Sequence, residues 1–388
     1  MASRPLTIAI NDRPLRPPKT GVGHYVEELL RWLPRVAPQY RYVGFFTDVL
    51  GRRPPSLGVD PTGGPGRPVP GLPASRQPWW VRRTLQAGYR VAFRLATGRG
   101  RCDLYHEPNN IAMRWRGVTV TTVHDLSVLR YPEWHPADRV AWYKREFRPS
   151  VRQTAHFICP SGFTKGELME FGGVREDRIT VIPLAPRESF QPQSPEAVAA
   201  VRERFRLPES FLLFVGTIEP RKNIDGLFQA YARLPGPARD RFPLVLAGAA
   251  GWGVEGLWSR AAALGVQRTV LPLGYVSEEE LAAMYTAARA LVWPSWYEGF
   301  GLPPLECMAC GTPVITSDVA SLPEVVGDAA VMVPPADAAG LCEAMLSVID
   351  DDARAAELGR RGLARAARYT WERSATAHIA VYERCGRA

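Results

Sequence analysis

The chain of 388 residues carries 48 Lys plus Arg against 39 Asp plus Glu, a net charge of +9, and is 46% hydrophobic. That length suits two domains, each with its own core, and the composition, with Gly and Pro scattered without a period, excludes disorder and fibre. The longest stretch without Asp, Glu, Lys or Arg, Phe242 to Val254, falls short of the ~18 apolar residues of a spanning helix. Met1 to Ile10 lacks the regions of a signal peptide, so a soluble, cytoplasmic protein is expected.

In chain order, short runs rich in Val, Ile and Leu alternate with amphipathic stretches, the pattern of parallel sheets flanked by helices. The first half predicts strands at Leu6 to Ile10, Tyr42 to Phe46, Val118 to Val123, Phe157 to Cys159 and Ile179 to Ile182, with helices such as His24 to Leu33 and Ala137 to Thr154. Ile182 to Pro195 holds Pro183, Pro186, Pro192 and Pro195, too many for helix or sheet interior, and reads as a linker. The second half predicts strands at Phe211 to Val215, Leu244 to Ala247, Val270 to Leu273, Leu291 to Trp293, Val314 to Thr316 and Val331 to Val333. Ser277 followed by Glu280 predicts a capping box, and Arg360 to Arg368 and Trp371 to Arg384 read as terminal helices. The expected plan is a domain over 1–185, a linker over 186–195, a second domain over 196–370 and a final helix over 371–388. Two doubly wound α/β domains are expected to face each other across a cleft, with ligands at the carboxyl ends of the strands.

Six cysteines are too few to staple a chain of this size and read as reduced core residues. Cys307 and Cys310 have zinc spacing, but neither a second pair nor nearby histidines follow, so no metal site is expected. Four places carry possible chemistry. Gly21 and Gly23 lie between a strand and a helix, where backbone can approach an anion, although a plain glycine turn reads equally well. His124 and Asp125 end an apolar run at the edge where active-site groups gather, and a capping Asp beside a satisfied His is the alternative. Glu219, Pro220, Arg221, Lys222 and Asn223 put two cations at a strand-to-helix turn, with Asn223 able to cap the helix, a phosphate-binding arrangement to which solvated surface charge is the alternative. From Glu298 to Glu306 two carboxylates flank glycines, and Pro303 suits a first helical turn that leaves the N–H groups of Gly301 and Leu302 free for a ligand, although Glu306 taken alone also reads as an ordinary glutamate on a surface helix.

These motifs carry a resemblance. Trp293 to Ser317, with Gly216 to Asn223, Ala247 to Trp252, Gly21 to Tyr25, Val123 to Leu126, Ser161 to Lys165, Leu273 to Tyr285 and Leu322 to Gly327, closely resembles the retaining GT-B glycosyltransferases of family 4. Only about Gly51 to Arg101 has no recognised counterpart. The resemblance implies two Rossmann-like domains, a nucleotide-sugar donor held mainly by the second and an acceptor mainly by the first. It assigns Glu298 to the donor sugar hydroxyls, Glu306 to the ribose, Arg221 and Lys222 to the diphosphate, His124 to the neighbourhood of the transferred sugar and the backbone of Val276 to the base. Phe300, Gly301, Leu302, Gly21 and Gly23 complete the donor-side set. Many members carry an arginine directly after the glycine that ends the first strand of the second domain, where this chain has Thr217.

Cleaving an anomeric bond to a diphosphate puts charge on the leaving group, which fixed cations stabilise without a nucleophile or a cofactor. Retention follows if the acceptor hydroxyl attacks from the leaving-group face. A glycosidase would use paired carboxylates differently and has no need of the basic pair. A nicotinamide oxidoreductase is disfavoured by the incomplete glycine fingerprint, and a nucleic-acid binder by the lack of a recognised module. The resemblance at Gly21 to Tyr25 and Glu219 to Asn223 implies GDP-mannose as the donor, with a glycan or lipid-linked acceptor in polysaccharide assembly. Asp350 and Asp352, spaced like a metal-binding aspartate pair, read as helix caps. From Pro61 to Cys102 there is no Asp or Glu but eight arginines, with Val81, Leu85, Tyr89, Ala92, Phe93 and Ala96 at helical spacing. Residues 76–101 are therefore expected to touch an anionic membrane, or else to pack an ordinary helix on the core.

Overall fold

The computed structural model describes residues 5–16, 21–44, 91, 93–95, 97, 98 and 101–386. In the first half, the strands are β1 (Thr7–Ile10), β2 (Arg41–Gly44), β3 (Leu104–Glu107), β4 (Val118–Thr122), β5 (His156–Cys159) and β6 (Ile179–Val181). The second half follows with β7 (Leu212–Val215), β8 (Leu244–Ala247), β9 (Val270–Gly274), β10 (Ala290–Trp293), β11 (Val314–Ser317) and β12 (Val331–Val333). They form two six-stranded sheets, ordered β2-β1-β3-β4-β5-β6 and β12-β11-β10-β7-β8-β9. Pairing is parallel, as in the registers Ile8 with Leu104 and Leu291 with Val314. Each order reverses once, at β1/β3 in the first sheet and at β7/β10 in the second, and the loops leaving such a reversal open a crevice at the carboxyl edge. Every residue of β7, β8, β10 and β11 is buried, which is why these strands read as unbroken apolar runs.

By internal contacts the chain divides into one unit of Met1–Thr122, Gln153–His156 and His378–Ala388, and another of Val123–Arg152 and Phe157–Ala377. In the first unit the final helix (Trp371–Gly386) contributes His378, whose Nε2 is 2.7 Å from the hydroxyl of Tyr25. The same hydroxyl is 2.8 Å from Thr122 Oγ1, which is 2.8 Å from His106 Nε2, and Tyr382 closes the chain at 2.7 Å from His106 Nδ1. All five side chains are buried, and each polar atom in the chain has a partner. Nearby, Glu107 accepts from Asn11 Nδ2 at 2.8 Å, from the Tyr105 hydroxyl at 2.5 Å and from the Asn109 N–H at 3.1 Å.

Several elements differ from the sequence reading. β3 was not anticipated, because Leu-Tyr-His-Glu has neither alternation nor an apolar run. Its polar residues are buried against partners distant in sequence. The helix expected from His24 starts at Gly21 (Gly21–Val36), so Gly21 and Gly23 belong to its first turn and not to a loop. Gly23 is buried there and Gly21 exposed. The helix expected at Arg360 to Arg368 starts earlier, at Asp352–Ala366, and its cap is Asp351, whose carboxylate accepts from Arg354 N at 2.8 Å. Asp350 ends the preceding helix, and Asp352 pairs with Arg289 at 2.7 Å. The capping box at Ser277 forms as its spacing requires: Ser277 N–H donates to Glu280 at 2.9 Å, and Glu280 N–H donates to Ser277 Oγ at 3.4 Å.

All six cysteines are free, and five of them are buried. No helix among the described residues is long and apolar enough to cross a membrane. The arginine-rich stretch lies mostly outside the described residues. Within it, Phe93 is buried against Tyr105, ring centroids 4.8 Å apart, and against Ala112.

Candidate active site

The second sheet reverses between β7 and β10, and the chain leaving each strand brings the charged residues together. After β7, Gly216 adopts φ +139°, and Gly248 packs so closely that a Cβ on it would lie 1.9 Å from Gly216 O. Only glycine fits that approach. A single 3-10 turn (Pro220–Lys222) then presents Arg221 and Lys222, and Asn223 at φ +57° turns the chain into the helix Ile224–Ala232. Asn223 does not cap that helix with its side chain, as its spacing suggested. Its Nδ2 donates instead to Pro294 O at 3.0 Å and Pro335 O at 2.8 Å, fastening the turn to the chain that follows β10. Trp293 at the end of β10 reaches back, its Nε1 donating to Val215 O at 2.8 Å.

Both cations converge on Glu298. Lys222 Nζ donates to Oε1 at 2.5 Å and lies 4.3 Å from the Trp293 ring centroid, while Arg221 Nη1 donates to Oε2 at 2.7 Å. Arg221 also grips Glu219 Oε1 through Nη2 at 2.7 Å and Nε at 3.1 Å, and the Tyr297 carbonyl at 3.1 Å. Burial works against the charge on Arg221, but Glu298, Glu219 and Asp125 outweigh it and hold the guanidinium above its ordinary range. Lys222 goes the other way: burial and the adjacent Arg221 prevail over Glu298 and hold its ammonium below its usual value. Asp125 is favoured as the acid by burial, yet Arg221 and two hydrogen bonds from Ser127 keep its carboxyl below the usual range. Three carboxylates thus surround two cations. Such a cluster can exchange a carboxylate for another anion, because its donors are already in place.

The loop carrying Glu298 is held on two sides. Ser321 Oγ lies 2.8 Å from both Glu298 O and Phe300 O, and Ser161 Oγ and Thr164 Oγ1 donate to Gly299 O at 2.7 and 3.0 Å. The backbone of His124 presses on this loop, since a Cβ at Gly299 would lie 1.9 Å from His124 O. Tyr297, just before Glu298, accepts at its hydroxyl from Leu126 N at 3.0 Å and donates to Glu167, which Arg130 Nε holds at 2.5 Å. The strand-end segment of His124 and Asp125 is therefore fixed to the Glu298 loop by backbone contact and through one tyrosine.

Gly301 takes φ +111° and starts the helix Leu302–Ala309, with Pro303 in its first turn as read from the sequence. Glu306 lies inside that helix, buried, 3.5 Å from Arg187 Nη2. Arg187 also donates to Glu278 at 2.5 Å, beside the buried Val276 that precedes the helix Glu278–Ala287. Burial pushes the Glu306 carboxyl up to about 7, with Glu278 adding to the shift and Arg187 opposing it. Arg187 thus links Glu306 to Glu278, two residues after Val276, while Gly21 and Gly23 belong to the first unit.

Sequence reasoning missed Arg187, Glu167 and Tyr297. Arg187 stands among linker prolines, and Glu167 reads as a surface residue of the helix Gly162–Gly172; each is identified only by a partner distant in the chain. No group of three or more His, Cys, Asp or Glu poised to hold a metal gathers among the described residues.

Residues 200–365 match the model for glycosyl transferases group 1, and residues 19–185 that for Glycosyltransferase Family 4. The chain is 39% identical over 281 residues to the O-antigen chain mannosyltransferase B of Escherichia coli, covering 72% of this chain and 74% of that protein. It is 34% identical over 269 residues to the serotype-specific mannosyltransferase WbdA of Escherichia coli, 68% of this chain but only 33% of that longer protein. Among solved structures, sucrose-phosphate synthase from Thermosynechococcus elongatus superposes with a TM-score of 0.74 at 23% identity over 98% of both chains. HepE of Anabaena, in complex with UDP and glucose, gives 0.68 at 17% identity over 97% of this chain and 99% of that one. Glycosyl transfer therefore stands over the glycosidase, oxidoreductase and nucleic-acid readings, and the chain belongs to the group 1, family 4 glycosyltransferases of GT-B fold.

Proposed function

We propose that this chain transfers mannose, with retention of anomeric configuration, from GDP-mannose to a glycan or lipid-linked acceptor, on the cytoplasmic side of the membrane and without a metal ion. The observation that carries the reading is the pinning of Glu298 by Arg221 and Lys222 at the reversal of the second sheet. In this account the two cations take the diphosphate and stabilise the charge that develops on it as the anomeric bond breaks, from positions fixed before reaction. Glu298, released from them, holds hydroxyls of the transferred sugar, with His124 beside it. Glu306 accepts from the ribose, and the backbone near Val276 meets the base. The acceptor hydroxyl attacks from the face the phosphate leaves, and a phosphate oxygen takes its proton. Residues 196–370 form the donor half and 1–185 the acceptor half. Arg221 supplies the charge that Thr217 lacks, because its guanidinium already reaches both Glu219 and Glu298. Mannosyltransferases among the relatives support the choice of sugar.

The test is NMR of the product formed from GDP-α-mannose and a mannoside acceptor, with and without EDTA. An α-linked product at an unchanged rate in EDTA is expected. A β-linked product contradicts retention, and activity lost in EDTA and restored by Mn contradicts the cation-only account.

A further inference from the structure

Beside the candidate active site, the second unit contains a cavity of about 460 Å³ that the proposed reaction does not use. It continues into a second cavity of about 490 Å³, the two sharing Asp225, Gln229 and Arg260. Together they form a groove along the helices Ile224–Ala232 and Leu257–Ala263. At the inner end stand Trp134 and Trp296. Trp134 is stacked on Tyr131 with centroids 4.0 Å apart, which fixes its plane, and Trp296 leaves 37% of its surface exposed. Its backbone N–H donates to Arg221 O at 2.9 Å, and Glu219, which also lines this end, is the carboxylate that grips Arg221. The groove therefore begins where the donor-side cluster ends. Where the two cavities meet, Asp225 accepts from Arg260 Nε at 2.5 Å and from Gln229 Nε2 at 3.0 Å, which sets a carboxylate and an amide side by side at the surface.

Rigid aromatic planes followed by carboxylate, amide and guanidinium groups match the two kinds of surface on a pyranose: its C–H faces and its rim of hydroxyls. Glu219 and Asp225 balance Arg233 and Arg260 along the lining, which leaves the groove near neutral and suits an uncharged ligand, and the elongated form suits a chain more than a single ring. We infer that this groove binds a neutral hexose oligosaccharide, a segment of the acceptor glycan beyond the reactive end that residues 1–185 hold. The inference rests on the glycosyl-transfer reading for its biological role, but the binding itself is measured without turnover.

The test titrates the full chain with mannose, α-mannotetraose and GDP, followed by calorimetry and tryptophan fluorescence. The tetrasaccharide should bind at least about tenfold more tightly than mannose. Trp296→Ala should weaken the tetrasaccharide about tenfold, Gln229→Ala should weaken it a few-fold, and Trp296→Phe should recover most of the loss. Circular dichroism checks the fold of each variant, and acceptor-free hydrolysis of GDP-mannose should stay at the parent rate in Trp296→Ala. Equal binding of mannose and tetrasaccharide, no binding of either, unchanged affinity in a folded Trp296→Ala, or displacement of the tetrasaccharide by GDP would each overturn the groove assignment. Absence of GDP-mannose turnover in the parent chain, with the tetrasaccharide still bound, would overturn the donor reading alone.

Discussion

Two buried polar clusters in this protein are built from opposite materials. The chain Tyr382–His106–Thr122–Tyr25–His378 in the first unit joins hydroxyls and imidazoles, each polar atom of one residue meeting that of another. The cluster of Asp125, Glu219, Arg221, Lys222 and Glu298 in the second is made of charges bound to one another. A closed hydrogen-bonded chain has nothing to exchange with a ligand, and its removal leaves cavities and orphaned groups. A buried ion cluster adds little net stability, because desolvation offsets attraction, but its charges can trade partners when an anion arrives. The difference separates a device that ties the end of the final helix to its sheet from the cluster to which the proposed function assigns the diphosphate.

Substitutions should split along that line. Glu298→Gln should have the largest effect, lowering kcat by about 10²- to 10³-fold with only a moderate loss of stability, because the amide oxygen still accepts from one of the two cations. A large stability loss with proportionate activity would make that cluster structural instead. His378→Ala should do the reverse, costing about 2–4 kcal/mol in denaturant unfolding through a lost hydrogen bond and a new cavity, with kcat per folded molecule unchanged. A kcat collapse in that variant at full stability would erase the contrast.

The smallest effect concerns Glu306. Burial raises its carboxyl to about 7, so below that pH it is largely the neutral acid. Accepting from ribose hydroxyls favours the carboxylate, so binding releases the proton and affinity rises with pH through 7, then levels off. Calorimetry with GDP should find affinity up to about tenfold higher at pH 8 than at pH 6 beyond the change shown by Glu306→Gln, which shares the titration of the phosphates. Parallel pH profiles for the two proteins would remove Glu306 from the ribose.

Much of this was legible in the sequence. Strands such as Leu244–Ala247 and Val331–Val333 announced themselves as apolar runs, and the cap at Ser277 by spacing alone, because both depend on neighbours in the chain. The basic pair and Glu298 could be named from motif and position. Their convergence could not, since it follows from the reversal between β7 and β10. β3 escaped notice because His106 and Glu107 take up Tyr382, Thr122 and Asn11 as partners, all distant in sequence. Arg187 was hidden for the same reason: a linker arginine becomes part of the site only when Glu278 and Glu306 fold around it.

The central claim is that Arg221 and Lys222 carry the leaving diphosphate. Its most direct test is a turnover screen over UDP-, GDP- and dTDP-sugars, with the parent chain and Lys222→Ala side by side and circular dichroism confirming the fold of both. GDP-mannose should be consumed by the parent chain, and by the variant about 10²- to 10³-fold more slowly at saturating donor, because a charge acting on the leaving group counts most in the transition state. Turnover by a folded Lys222→Ala at the parent rate would contradict the account.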